Sequence, residues 1–142
     1  MIEVVLDTET TGLSVSEGHR IVEIGCIEIK DLIPTKKTFH CYLNPERKVS
    51  EQAFKVHGYS DSFLSKQKKF NEIVDDFLKF IDGKRLVIHN AEFDISHLNH
   101  ELTLLGKEKI KQDVIDTVKI ARDKFPGSNI SLDALCKRYN ID

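Results

Sequence analysis

Two acidic side chains one residue apart, Asp7 and Glu9, follow the apolar run IEVVL in the segment LDTETTGL. In an extended strand residues i and i+2 point to one face, so both carboxylates project together from the end of what reads as a central, buried strand. Like charges so placed repel each other unless a cation bridges them. Carboxylate oxygens suit Mg²⁺ or Mn²⁺, hard cations that accept such ligands and keep bound waters. Two such ions about 4 Å apart can activate a water and stabilise the leaving oxygen as a phosphodiester is cleaved. A third acid, Asp94 in HNAEFD, follows the strand RLVIH within the first turn of a helix, on the edge of that helix's apolar stripe. Its carboxylate can look along the sheet toward the strand carrying Asp7. An acid in a first helical turn is also ordinary, because the helix dipole favours it.

The same octamer admits a second chemistry. DTETT approximates the DxDxT pattern of haloacid-dehalogenase-type phosphatases, in which the first Asp is a nucleophile and the acid two positions on handles a proton. Here that acid is Glu9, which departs from the pattern, and HNAEFD would have no task in that scheme.

The elements that must position these acids are legible from periodicity. Strands are expected at Ile2 to Asp7, Ile21 to Ile29 and about Thr38 to Leu43, with turns around Gly12 and Pro34. SEQAFKVHG reads as a short helix closed by Gly58. FNEIVDDFLKFIDG carries one apolar stripe, Phe70, Ile73, Val74, Phe77, Leu78 and Ile81, at helical spacing. After the strand RLVIHN, Ala91, Ile95, Leu98, Leu102 and Leu105 define a second helix. A strand near Asp113 to Ile115, a helix in TVKIARDKF and a final helix in SLDALCKRYNI capped by Ser131 complete the chain. Strands first, then helices and strands mixed, imply an α/β fold: a mixed sheet flanked by helices.

At 142 residues the chain suits one domain with a substantial core. With 40% hydrophobic and 31% charged residues it has the balance of a globular protein. No apolar stretch reaches the roughly 20 residues that span a bilayer, and MIEVVLD lacks the basic start of a signal peptide, so no membrane role and a cytoplasmic location are expected. Cys26, Cys41 and Cys136 are odd in number and form no CxxC pair, which disfavours a disulfide framework or zinc knuckle. A net charge of -2 argues against gripping nucleic acid by bulk positive charge. Approach to a strand end through bound metal stays open. The lysine runs KQKK and GKEKIK read as solvated faces.

Together LDTETTGL, RIVEIG, KVHGYS, VIHNAEFD and DTVKIARDKFPGSNISLDALCKRYNID resemble the DEDDh exonuclease superfamily over essentially the whole chain. The likeness is greatest to its proofreading branch, the epsilon-type subunits of bacterial DNA polymerase III. One DxE is weak; five segments in the family's order are specific. The resemblance implies a ribonuclease-H-like fold and metal-dependent removal of nucleotides from the 3′ end of DNA, single-stranded or frayed. It implies two divalent cations, Mg²⁺ or Mn²⁺, with Asp7 bridging them, Glu9 on the metal that carries the attacking water and Asp94 on the second. Thr10 and Thr11, just past the strand, match positions that contact the terminal nucleotide; His57 matches one that faces substrate, with Gln52 about a turn before it. The other reading of His57 is a helix-end histidine near the dipole's negative pole. Polymerase core subunits are the implied partners, with RNA trimming or a non-catalytic strand-binding module as alternatives.

The family's third motif, a general-base histidine followed by a fourth metal-binding aspartate, belongs downstream of CKRYNID. The expectation is therefore an exonuclease domain over residues 1–142, incomplete at its C-terminus, without its terminal helix and with impaired activity; the polymerase-binding tail would lie further on. Among residues present, His97 and His100 are the nearest candidates for a substitute base, and the helical wheel turns both toward solvent. His89 reads as a structural sheet-end histidine, and His19 and His40 have no constellation around them. Asp133 reads as an ordinary first-turn acid, while Asp116, in the DT that opens a helix, reads as a cap or as an acid near the site.

Overall fold

In the computed structural model, which describes residues 1–142, the first strand outruns its apolar pattern. β1 spans Ile2–Thr10, because its far half pairs with β2 (Ile21–Lys30): Asp7 opposite Gly25, Thr8 opposite Ile24, Glu9 opposite Glu23. Asp7 and Glu9 thus lie inside the strand and not at its end, and Thr10 is its last residue. Backbone pairing, which hydrophobicity does not report, carries the strand through two acids.

β2 returns antiparallel into β3 (Ile33–Tyr42), which begins earlier than the sequence suggests. The connection is not at Pro34 but at Asp31 and Leu32, whose φ angles of 51° and 69° are both left-handed, as a two-residue hairpin turn requires. Pro34 lies in β3, an edge strand that tolerates a missing N–H. α1 (Glu51–His57) is capped by Ser50, whose hydroxyl accepts the Ala53 N–H, and is closed by Gly58 at φ 74°. α2 (Asp61–Ser65), which the sequence pattern does not announce, is set by a second serine cap, Ser60. α3 (Phe70–Ile81), β4 (Arg85–Ile88) and α4 (Ala91–Leu104) come next, then β5 (Val114–Asp116), α5 (Thr117–Lys124) and α6 (Leu132–Arg138). The sheet order is β3-β2-β1-β4-β5, with β4 parallel to β1 and β5 parallel to β4.

One face of the sheet carries the core. Val4 and Leu6 of β1, Ile24 and Cys26 of β2, and Leu86 and Ile88 of β4 pack against Phe70, Ile73, Val74, Phe77 and Ile81 of α3 and Leu98 and Leu102 of α4. Each such side chain stabilises by roughly 1.5–3 kcal/mol on leaving water. On the other face Val5 and Ile27 stay 39% and 47% exposed, so β1 is buried on one side only. All three cysteines are free thiols, and burial pushes Cys26 up to about 12, so it is an inert core residue.

α4 departs most from its sequence reading. Asp94, His97 and Glu101, spaced three and four apart, form a second, polar face that is buried: their exposures are 2%, 1% and 2%. His97 therefore does not face solvent. Its Nε2–H donates to the Leu13 carbonyl at 3.0 Å, and burial holds its pKa below the ordinary histidine value, so it is neutral. His100 is half-buried. Glu101 accepts two N–H groups of Arg20, at 2.7 and 2.8 Å, and the Ile21 N–H at 3.2 Å. These bonds register α4 along β2. Glu101→Ala would leave the Arg20 guanidinium half-buried without its counter-ion, a loss on the order of 3–5 kcal/mol, read as a lower urea midpoint at unchanged slope.

Candidate active site

β1 presents its two acids on the sheet face opposite the core. Asp7 is exposed and Glu9 half-buried. Gly25 faces Asp7 across the ladder, and a methyl group there would meet nothing within 4 Å, so the space beside Asp7 is open. Thr8, pointing the other way, is buried, and its hydroxyl donates to the Asp94 carboxylate. That bond ties the first turn of α4 to the middle of the acidic segment. Protein packed around the Asp7 carboxyl raises its pKa; the Thr8 N–H opposes this, and Glu23 adds to it. Glu9 is raised by burial, then by Asp7 and Glu23. Asp94 is pushed up to about 7, chiefly by burial, against the Thr8 hydrogen bond and with Asp7 and Glu9 adding to the rise. Asp7 thus acts on Glu9, and both act on Asp94. Glu23 is a fourth acid on the same face; its signal was the strand register, which hydrophobic patterning does not fix.

The sign of the Asp94 shift has a consequence for metal-free protein. With a folded-state pKa of about 7 against 3.8 ordinarily, the folded chain holds this proton more tightly than the unfolded chain. Its stabilisation is present at low pH and is lost as pH rises toward and through 7. In EDTA, urea unfolding at pH 8 should therefore show lower stability than at pH 5, by on the order of 2 kcal/mol, and Asp94→Asn should flatten the difference.

The donor set fits a hard divalent cation in its chemistry: three carboxylates, of which Asp7 adds to the rise in Glu9, and Asp7 and Glu9 to the rise in Asp94. No group of three or more His, Cys, Asp or Glu side chains stands in position to hold a metal ion. The carboxylates are close enough to interact but not gathered into a closed cage.

Both threonines expected at the site turn inward. Thr10 is buried, its hydroxyl donating to the Gly12 carbonyl at 2.6 Å. Thr11 is wholly buried; its Oγ1 pairs with His19 Nδ1 at 2.9 Å and accepts the Arg20 N–H at 3.0 Å. Both hydroxyls are spent in shaping the loop after β1. His57 ends α1 and is half-buried, its Nε2–H donating to the Thr10 carbonyl at 3.1 Å. Gln52 is exposed in the first turn of α1. His19 and His40 do have surroundings, contrary to expectation: the His19 ring fills the space where a side chain at Gly12 would start, and His40 Nε2 pairs with Glu23 at 2.6 Å. Only glycine at position 12 admits that ring.

Asp116 caps α5 and also accepts the N–H groups of Asn90 and Ala91 at the start of α4. Burial works to raise its pKa, but these three backbone donors prevail and hold it below the ordinary carboxylate range. His89 is structural as expected, with Nδ1 on the Thr117 hydroxyl at 2.8 Å and Nε2 on the Ile130 carbonyl at 2.9 Å. Together they clamp the HNAEFD turn, in which Asn90 adopts φ 65°, and so fix the base of the helix that bears Asp94.

An acidic central strand beside a helix that returns a third carboxylate to it, in a sheet of this order, defines a ribonuclease-H-like exonuclease fold. The chain belongs to the exonuclease (RNase_T) family, whose profile matches residues 4–142. Among curated relatives it is 54% identical over 144 residues to DNA polymerase III subunit epsilon of Rickettsia typhi (strain ATCC VR-144 / Wilmington), covering 99% of this chain and 63% of that one. It is 46% identical over 148 residues to DNA polymerase III subunit epsilon of Escherichia coli (strain K12), covering 99% and 61%. The chain thus spans somewhat under two thirds of the length of these relatives. Exonuclease X in complex with 5′ overhanging duplex DNA shares its fold at a TM-score of 0.77 and 24% identity, covering 98% of this chain and 74% of that one. Exonuclease I in complex with inhibitor BCBP does so at 0.88 and 12%, covering 99% and 37%. Family membership sets the phosphatase reading aside.

Proposed function

We propose that this chain is the exonuclease part of a proofreading subunit, removing nucleotides from DNA 3′ ends with two divalent cations, Mg²⁺ or Mn²⁺. The observation that carries this reading is the coupling of Asp7, Glu9 and Asp94, each raised in pKa by burial and by another acid of the site. Such a cluster is costly alone and is relieved by a divalent cation. Asp7, Glu9 and Asp94 are the residues that would hold the two ions. When bound, the ions supply a nucleophilic hydroxide and charge neutralisation at the leaving oxygen.

The protein's own part is positional. Thr8 fixes Asp94, and the Asp116 clamp fixes the turn before it. His57 and Gln52 border the path of the terminal nucleotide, with Thr10 and Thr11 shaping the loop behind them. His57 and His97 do not replace the general base. His57 has both ring nitrogens engaged, and His97 is buried. The family resemblance calls for a general-base histidine and a fourth aspartate that are not identified among residues 1–142, and the activity of these residues alone is expected to be near background.

DNA is the substrate in this reading because the curated relatives it matches at 54% and 46% identity are DNA polymerase III epsilon subunits. Replicative polymerase core subunits are the partners and the cytoplasm is the location; no helix is long and apolar enough to cross a membrane. Calorimetric titration with MnCl₂, alongside release of nucleotide from a 3′-labelled single strand, tests the reading. Heat of binding that disappears in the Asp7→Asn, Asp94→Asn double variant supports it. No heat at millimolar Mn²⁺ in wild type defeats it.

A further inference from the structure

Glu23 stands on the same sheet face as Asp7 and Glu9, directly opposite Glu9, and both of its oxygens are taken. Oε2 pairs with His40 Nε2 at 2.6 Å, and Oε1 accepts the Tyr59 hydroxyl at 2.8 Å. Tyr59 in turn controls His57. Its backbone N–H donates to His57 Nδ1 at 3.0 Å, and its ring stacks on the imidazole with centroids 4.8 Å apart and planes 17° from parallel. Because Nδ1 accepts, Nε2 carries the proton and donates to the Thr10 carbonyl. Tyr42 and Phe63 hold the far side of the Tyr59 ring, edge-on at 5.1 Å and tilted at 5.9 Å. The result is a closed bracket running from β3 through β2 and the α1–α2 connection back to the last residue of β1. It fixes the tautomer of His57 and the distance between the α1 terminus and the acidic strand.

Resting on the function proposed above, we infer that Tyr59 and Glu23 are positioning residues: they lock His57 and Thr10 into one rigid rim that receives the 3′-terminal nucleotide. Neither touches the reacting atoms. Pre-ordering the rim spares the incoming strand the entropy of fixing α1 against β1, so the bracket acts on strand affinity and not on metal affinity.

The test measures binding of a labelled single-stranded oligothymidylate to the whole chain with Ca²⁺ in place of Mg²⁺. Tyr59→Phe and Glu23→Ala should each weaken binding roughly ten-fold, the scale of one charge-assisted hydrogen bond. Glu23→Gln should stay within about two-fold of wild type, since its amide oxygen still accepts the Tyr59 hydroxyl and its N–H₂ can donate to the His40 ring nitrogen. Mn²⁺ affinity of Tyr59→Phe should match wild type. Equal strand affinity of Tyr59→Phe and wild type overturns the inference, as does Glu23→Gln as weak as Glu23→Ala. Nitrogen-15 NMR of the histidines gives a readout that needs no strand. His57 should stay the Nε2–H tautomer in both forms, because Tyr59→Phe keeps the backbone N–H on Nδ1, but its ring signals should be displaced in the variant as the bracket loosens; unchanged His57 signals refute the bracket. A wild-type chain that ignores strand while showing this NMR change defeats the proposed function and leaves the bracket standing.

Discussion

Asp7→Asn, made in a chain extended to the length of its relatives, should lower nucleotide release from a 3′-labelled strand by at least a hundred-fold while making the metal-free fold more stable. The two signs have one cause. Asp7 shares its strand face with Glu9 and faces toward Glu23, and the latter adds to the rise in its pKa. Removing its charge relieves repulsion at both neighbours, so the urea midpoint in EDTA rises at neutral pH. The same charge is what would join two cations, and a residue that only supports a ligand already costs 10- to 100-fold in affinity or activity when removed. A ligand shared by both metals should cost more. Loss of activity with gain of metal-free stability is the signature of a site that gives up stability for function. Loss of both would mean that Asp7 is an ordinary structural acid, and the metal reading would fall.

The second large effect concerns chain length, since the chain spans somewhat under two thirds of the length of its relatives. Extending the chain to the length of its relatives should raise the rate of 3′ trimming by roughly 10²- to 10⁴-fold, the range a positioned general base supplies. Three of the histidines present are committed elsewhere. His97 is buried with its Nε2–H given to Leu13, His57 is doubly bonded, and His89 is held between Thr117 and Ile130. Both forms should be compared in Mg²⁺ and in Mn²⁺ at equal protein concentration. Equal rates would show that residues 1–142 hold a complete set of groups, and the call for a further general base would be wrong. The single strand should still be bound by the shorter form, because the bracket that holds His57 against Thr10 is already built.

Several features of this protein were decided locally and are legible as such. The helices over Phe70–Ile81 and Ala91–Leu104 arise from apolar residues at helical spacing, and α1 and α6 from serine caps. Asp7 and Glu9 share a face because a strand alternates sides every residue, whatever surrounds it. The order of five motifs sufficed to place the chain in its superfamily. Tertiary structure decided what depends on partners distant in sequence. β1 runs on to Thr10 because β2 supplies a ladder, and the hairpin turns at Asp31–Leu32 because register outweighs the punctuation of Pro34. Asp94, His97 and Glu101 are buried because Thr8, Leu13 and Arg20, some eighty residues earlier, each give them a hydrogen-bond partner, Leu13 to the Nε2–H of His97. Hydrophobic periodicity assigns polar residues to water, and it cannot foresee a polar face whose hydrogen-bond partners arrive from another strand. The role of Glu23 was hidden for the same reason, since only the register of β2 on β1 sets it opposite Glu9.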